Sequence, residues 1–349
     1  MTTQIYHNRR ASIVENDALR VVVLEEGGHL AAIVDKASGI SPLWIPPWPS
    51  IEPSSFTSAH EALYGSGSDA RLLAGIMGHN LCLDIFGGPS DDEAAAGLTA
   101  HGEASVARYE IAAASQSLTM SATLPLAQIA VRRVLDLDGR WIRVRESVEN
   151  LTGIDRPIGW TQHVTLGPPY LEKGATEFRL SAGRSRVFEG TFGPADYLEA
   201  SGDFTWPMAP LKGGGQRDLR VCNGAPVSSA YTAHLVDPSI DRAWFGAFSP
   251  ASSLVFGYVW QRADFPWAGL WEENNSRTHS PWNGRTLTRA VEFGVSPYPE
   301  SRRQMVERGR LFDHPTFRWL PARARLAAEY WIVLDRATAM PENLTPPRS

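Results

Sequence analysis

The chain has 349 residues, 43% hydrophobic and 20% charged, and its 33 lysines and arginines against 38 aspartates and glutamates leave a formal net charge of −5. That balance excludes the basic footprint of a nucleic-acid binder, and no apolar run is long enough to span a bilayer. A chain of this length can bury a large core without staples, and its only cysteines, Cys82 and Cys222, form neither a disulfide framework nor a CxxC zinc pattern.

The first ten residues carry charges with no apolar stretch after them, so the reading is no secretory signal and a cytoplasmic protein. Residues 19–24, a Gly27-Gly28 turn and residues 30–34 read as a hairpin, followed by a turn cluster at 35–39 and by Leu43-Trp44. Residues 46–56 form a proline-rich loop. Residues 58–64 and 91–96 are each long enough for a turn or two of helix. Residues 131–137 and 141–148 flank Asp138-Gly139, a hairpin signal that favours a type I′ turn. In the second arm Ile142, Val144 and Val148 alternate with polar residues, so one face is expected to be buried. Trp160, Gln162, Val164 and Leu166 read as a strand with His163 in its middle, ended by Gly167-Pro168-Pro169. Residues 243–248 and 254–260 make another strand pair. Residues 299–309 start with a proline, end with basic residues and a glycine, and read as the best helix. Many short strands with Gly/Pro turns and little helix predict an all-β fold, a large antiparallel β-sandwich spanning residues 1–336 as one unit, with a Pro-rich tail over 337–349.

No P-loop, no GxGxxG and no GxSxG is present; Gly213-Gly214-Gly215 reads as a loop. The chemistry must come from elsewhere. His79 in Gly78-His79-Asn80, His101 in Ala100-His101-Gly102 and the strand histidine His163 are the informative imidazoles, although a lone histidine is more often structural than catalytic. Glu292 is a single acid between Val291 and Phe293. Such a carboxylate is costly to bury unless partnered. If its strand turns it into a cleft it is a candidate base; otherwise it pairs with Arg285 or Arg289 on an exposed face. Trp44, Trp48, Trp260, Trp267, Trp271 and Trp282 supply flat faces suited to pyranose rings, or ordinary core filling.

Five segments, in order over nearly the whole chain, resemble the galactose mutarotase-like, or aldose 1-epimerase, superfamily. They are Gly27-Gly28 through Asp35-Lys36 to Leu43-Trp44, Ala100-His101-Gly102, Asn150 through Pro157 to Gln162-His163, Asp264-Phe265-Pro266-Trp267 to Trp271, and Ala290-Val291-Glu292-Phe293 to Pro299. The resemblance implies an antiparallel β-supersandwich with a shallow sugar cleft. It implies an isomerase that interconverts sugar anomers without a cofactor or metal. Glu292 would be the base on the anomeric hydroxyl and His163 the acid at the ring oxygen, the two facing each other across a monosaccharide. His101 would polarise the sugar, with His79, Asn80, Asp264, Trp267, Trp271 and Glu273 as further sugar-binding residues. The implied partner is a monosaccharide or sugar phosphate, bound by a monomer or homodimer, with no nucleic acid and no membrane. A phosphate would need clustered bases, for which Arg132-Arg133 and Arg302-Arg303 are the candidates. Two other readings stand beside this one. One is a carbohydrate-binding protein on the same scaffold without turnover. The other is a metal enzyme using His79, His101, His163 and Asp84, which lacks the HxH spacing that sets two ligands on one strand face.

Overall fold

A computed structural model describes residues 4–347; the first three residues of the N-terminal stretch and the last two of the Pro-rich tail lie outside the described residues. Two antiparallel sheets dominate, one of twelve strands and one of eight. In the centre of the larger sheet, His79–Asp84, Arg156–Leu166, Leu287–Gly294, Trp267–Asn274 and Ser228–Val236 lie side by side in that order. Each of these strands is buried on both faces, which explains their near-continuous burial. One face packs on the eight-stranded sheet through Leu81, Trp160, Val164, Leu270, Val291 and Phe293. The other lies under a second apolar layer with Trp44, Trp48, Tyr64, Leu72, Leu73 and Trp282, drawn from loops that cross the sheet.

The hairpin expected around Gly27-Gly28 is present, with both glycines at positive φ (78° and 58°) between Leu19–Leu24 and Leu30–Asp35. The hairpin at Gly139 has a different turn from the one expected. Asp138 pairs with Trp141, so the central residues are Gly139 and Arg140. Of these only Gly139 has positive φ, 57°, the pattern of a type II′ turn with glycine in first place. The helices at Glu61–Tyr64, Asp91–Ala95 and Arg302–Arg308 are short, and a fourth, Ala70–Leu73, had no clear sequence signal. Arg302–Arg308 begins one turn later than its proline suggested, because Ser301 caps it and Gln304 closes a capping box. Met340 and Leu344 in the Pro-rich end lie over Gly246 and Gly257 on the outer face of the eight-stranded sheet. Among the described residues no helix is long and apolar enough to cross a membrane.

Candidate functional site

Side chains on neighbouring strands that pair directly share a face. His163 pairs with Asn80 on one side and Glu292 on the other, and Glu292 pairs with Gly269. His163 and Glu292 therefore stand side by side on the face away from the second sheet. His163 Nε2 lies 2.9 Å from Glu292 Oε1, and its Nδ1 lies 3.0 Å from Thr165 Oγ1. The acid and base thus touch each other and cannot face each other across a sugar. Register makes them neighbours, not opposite walls.

Gly269 is what leaves space at this point. A Cβ there would sit 2.2 Å from the Tyr231 hydroxyl and 3.0 Å from Glu292 Oε2. Tyr231 lies beside the Glu292 carboxylate but donates to the Pro297 carbonyl at 3.1 Å. Burial, followed by the charge of Glu292, holds the Tyr231 phenol and the Cys82 thiol well above their usual ranges, so both stay protonated.

His101 approaches from a loop. Its backbone has φ 64° and is stapled by Leu83 N–H to its carbonyl and by its own N–H to the Gly87 carbonyl. Gly102 follows with φ 75°, and a Cβ there would lie 2.1 Å from the Leu83 carbonyl, so the His-Gly pair is a packing requirement. The ring centroids of His101 and His163 are 4.8 Å apart, and that of His163 is 5.8 Å from Trp271. Burial, then the charge of His163, holds the His101 imidazole well below the usual histidine range, so it is neutral near pH 7.

These groups open into a cavity of about 230 Å³ walled by Trp44, Trp271, Trp282, Phe86, Phe192 and Leu72. Asp69 and Arg277 add charge to the wall. Trp44 and Trp282 are stacked (6.3 Å, 12°), and Trp271 meets Trp282 edge-on at 6.2 Å. His101 Nδ1, Trp271 Nε1 and Glu292 Oε2 are buried polar atoms with no partner. Such groups are costly to leave unpaired. All three belong to residues that line this one cavity.

The remaining expected site residues are dispersed. His79 points to the opposite face, where Nε2–H meets Gln162 Oε1 at 2.9 Å and Nδ1 accepts from the Tyr258 hydroxyl at 3.1 Å. It is a core residue, one position out of phase with Asn80. Asn80 shares the face of His163 but lies outside the cavity wall; its Oδ1 is 3.5 Å from Cys82 Sγ and its Nδ2 is unpartnered. Trp267 is on the same face but sealed under the hairpin Arg310–Leu311 and His314–Pro315, with its indole N–H on the Pro315 carbonyl. Asp264 lines a different surface hollow with Arg145 and Glu329. Glu273 lies below the rim, bonded to Ser276 and to the Arg277 N–H. Arg289, offered as a partner for Glu292, faces the other way, three residues along a strand.

Neither basic pair reaches the cavity. Arg133 is in the inter-sheet core on Glu146, Arg132 is exposed, Arg302 binds Asp84 and Glu93, and Arg303 binds Glu307. His79 and His163 lie on opposite faces and Asp84 is taken by Arg156 and Arg302, so those four residues cannot share an ion. Among the described residues no group of three or more metal-ligating side chains converges. Asp69 and Arg277 were missed by sequence reasoning; the signal for Arg277 was a cation six residues after Trp271 and four after Glu273.

Comparison with solved structures finds the same architecture over almost the full chain. The chain is similar to the Slr1438 protein from Synechocystis sp. PCC 6803, with 14% identity, 96% of this chain and 100% of that chain covered, and a TM-score of 0.59. It is similar to a galactose mutarotase related enzyme from Lactobacillus acidophilus (12% identity, 94% and 98% covered, TM-score 0.59). A galactose mutarotase-like protein from Clostridium acetobutylicum aligns at 10% identity, with 96% and 98% covered and a TM-score of 0.60. No protein-family model and no curated protein sequence matches. At these identities the likeness is one of architecture, and the chain has the galactose mutarotase-like fold.

Proposed function

We propose that the chain is a carbohydrate-active isomerase of the aldose 1-epimerase type, acting on a monosaccharide in the cavity between Trp44, Trp271 and Trp282. The observation that supports it most is the 2.9 Å contact of His163 and Glu292 at the floor of that cavity. The anomeric hydroxyl oxygen and the ring oxygen are attached to one carbon. An acid and a base that must serve both oxygens therefore belong side by side.

Glu292 removes the proton of the anomeric hydroxyl while His163, as imidazolium, delivers its Nε2 proton to the ring oxygen. The bond from the anomeric carbon to the ring oxygen breaks and an aldehyde forms. Rotation of the aldehyde carbon followed by closure gives the other anomer, and each proton returns to its source. Thr165 Oγ1 orients the imidazole through Nδ1. Neutral His101 hydrogen-bonds the sugar without adding a second positive charge. Only O–H and C–O bonds change, so no cofactor takes part. The two buried, unpaired thiols at Cys82 and Cys222 fit a reducing, cytoplasmic setting.

Polarimetry on freshly dissolved α-anomers tests this. The protein is expected to accelerate equilibration, and Glu292→Gln is expected to lower kcat by about 10²–10⁴-fold. Sugar binding by calorimetry with no acceleration would replace the isomerase by the non-catalytic binding protein.

A further inference from the structure

The cavity wall contains one guanidinium and, among the described residues, no ammonium group. Arg277 lies over Trp282 at 4.8 Å and over Trp271 at 5.6 Å from the ring centroids. Glu273 meets it at 3.5 Å, Nε to Oε2. Both Glu273 oxygens are already occupied, Oε1 by the Ser276 and Arg277 backbone N–H groups and Oε2 by the Ser276 hydroxyl. At the far end of the side chain Nη2 reaches the Phe192 carbonyl at 3.5 Å, and among the described residues nothing accepts from Nη1. The two indoles hold the guanidinium in place while its terminal donors make only the 3.5 Å contact to Phe192. Arg277 keeps Glu273 as an ion-pair partner, with Asp69 and Asp196 also acting on its charge, and its side chain is 23% exposed, so its unused donors are open to a ligand.

We propose that the substrate carries one carboxylate, as a hexuronate does, and that Arg277 is the residue that recognises it. This inference rests on the sugar-isomerase reading of the same cavity. Guanidinium and carboxylate are planar and pair through two parallel hydrogen bonds. A phosphate would bring about two negative charges at neutral pH. It would meet a single guanidinium in a cavity that already contains Asp69 and Glu292. A neutral hexose would leave the fork unmatched. Asp69 on the same wall opposes a second anionic group and sharpens the preference for a single charge.

The test is the equilibration rate with D-glucuronate, D-glucose and D-glucose 6-phosphate and their galacto counterparts, using the wild type, Arg277→Met and Arg277→Lys. In the wild type kcat/KM for the uronate is expected to exceed that for both others at least tenfold. In Arg277→Met the uronate-to-hexose ratio is expected to fall close to one. Arg277→Lys, which keeps the charge and loses the fork, should give an intermediate ratio. A uronate-to-hexose ratio unchanged in both variants, or a wild-type preference for the neutral or phosphorylated sugar, overturns the inference. Calorimetry with Glu292→Gln separates the two claims. Uronate binding that depends on Arg277, without turnover in the wild type, rejects the isomerase and keeps the inference; turnover of the neutral sugar alone does the reverse.

Discussion

His163 and Gln162 are adjacent in sequence, yet they belong to two polar clusters with opposite properties. Gln162 faces the inter-sheet core. There Arg133 meets Glu146 at 2.6 Å and Gln162 Oε1 at 2.9 Å, Gln162 Nε2 donates to Glu146 at 2.8 Å, and His79 and Tyr330 complete the acceptor. The Trp160 indole N–H also donates to Glu146. His163 faces the cavity, where Glu292 Oε2, His101 Nδ1 and Trp271 Nε1 have no partner. Both clusters pair an acid with a base in a buried setting. The first uses its hydrogen-bonding capacity within the protein and locks two sheets together. The second leaves part of it unused, in residues that line a cavity of about 230 Å³. Unsatisfied capacity separates a candidate site from a structural network more clearly than burial does.

The contrast can be broken by substitution. Removing one side of the core pair, as in Arg133→Met or Glu146→Gln, should cost about 3–5 kcal/mol because it strands a buried charge. Urea denaturation measures this, and a loss below 1 kcal/mol would mean the network is not holding the sheets. In the cavity, His163→Asn also takes the partner of Glu292 Oε1 away, but the carboxylate lines an open cavity that water can enter, so the expected cost is smaller, about 1–3 kcal/mol.

A pH series sharpens the same comparison. Burial, then the charge of Arg9, lowers the His29 imidazole to about 3, and burial lowers His234 to about 3. Unfolded, each returns to about 6.5. Between pH 6.5 and 3 the unfolded chain binds the extra proton, so each histidine lowers stability by about 1.4 kcal/mol per unit as pH falls. Above pH 6.5 this contribution is constant. His29→Gln should flatten the slope between pH 6.5 and 4.5 by that amount, whereas an unchanged slope would mean His29 is not buried neutral. The smallest expected effect is at the chain's end. Removing residues 340–347 uncovers Gly246 and Gly257 and should cost about 1 kcal/mol in a thermal melt, leaving the sheets intact.

Much of the fold was legible because period-2 alternation and glycine turns are local signals. The paired strands, the sandwich class and the position of Glu292 inside a strand follow from them. The site was legible only in part. Alternation places Gln162 and His163 on opposite faces but does not say which face opens to solvent. His79 and Asn80 are out of phase by one residue, so a motif naming both must misplace one of them. Trp267 and Trp271 share a face, and only the hairpin at 310–315, distant in sequence, decides that the first is sealed and the second exposed to the cavity. Arg277 had only the weak signal of its spacing from Trp271 and Glu273, because its place beside Trp282 and Phe192 is set by tertiary contacts.

On the proposed reading, the cluster on the cavity face does chemistry while its neighbour one residue away does not. The direct measurement is anomer equilibration by Glu292→Gln and His79→Gln side by side, each checked for folding by circular dichroism. Glu292→Gln is expected to abolish acceleration with the fold retained, and folded His79→Gln to keep a rate within a few-fold of the wild type. Equal loss in the two variants, or full activity without Glu292, would contradict it.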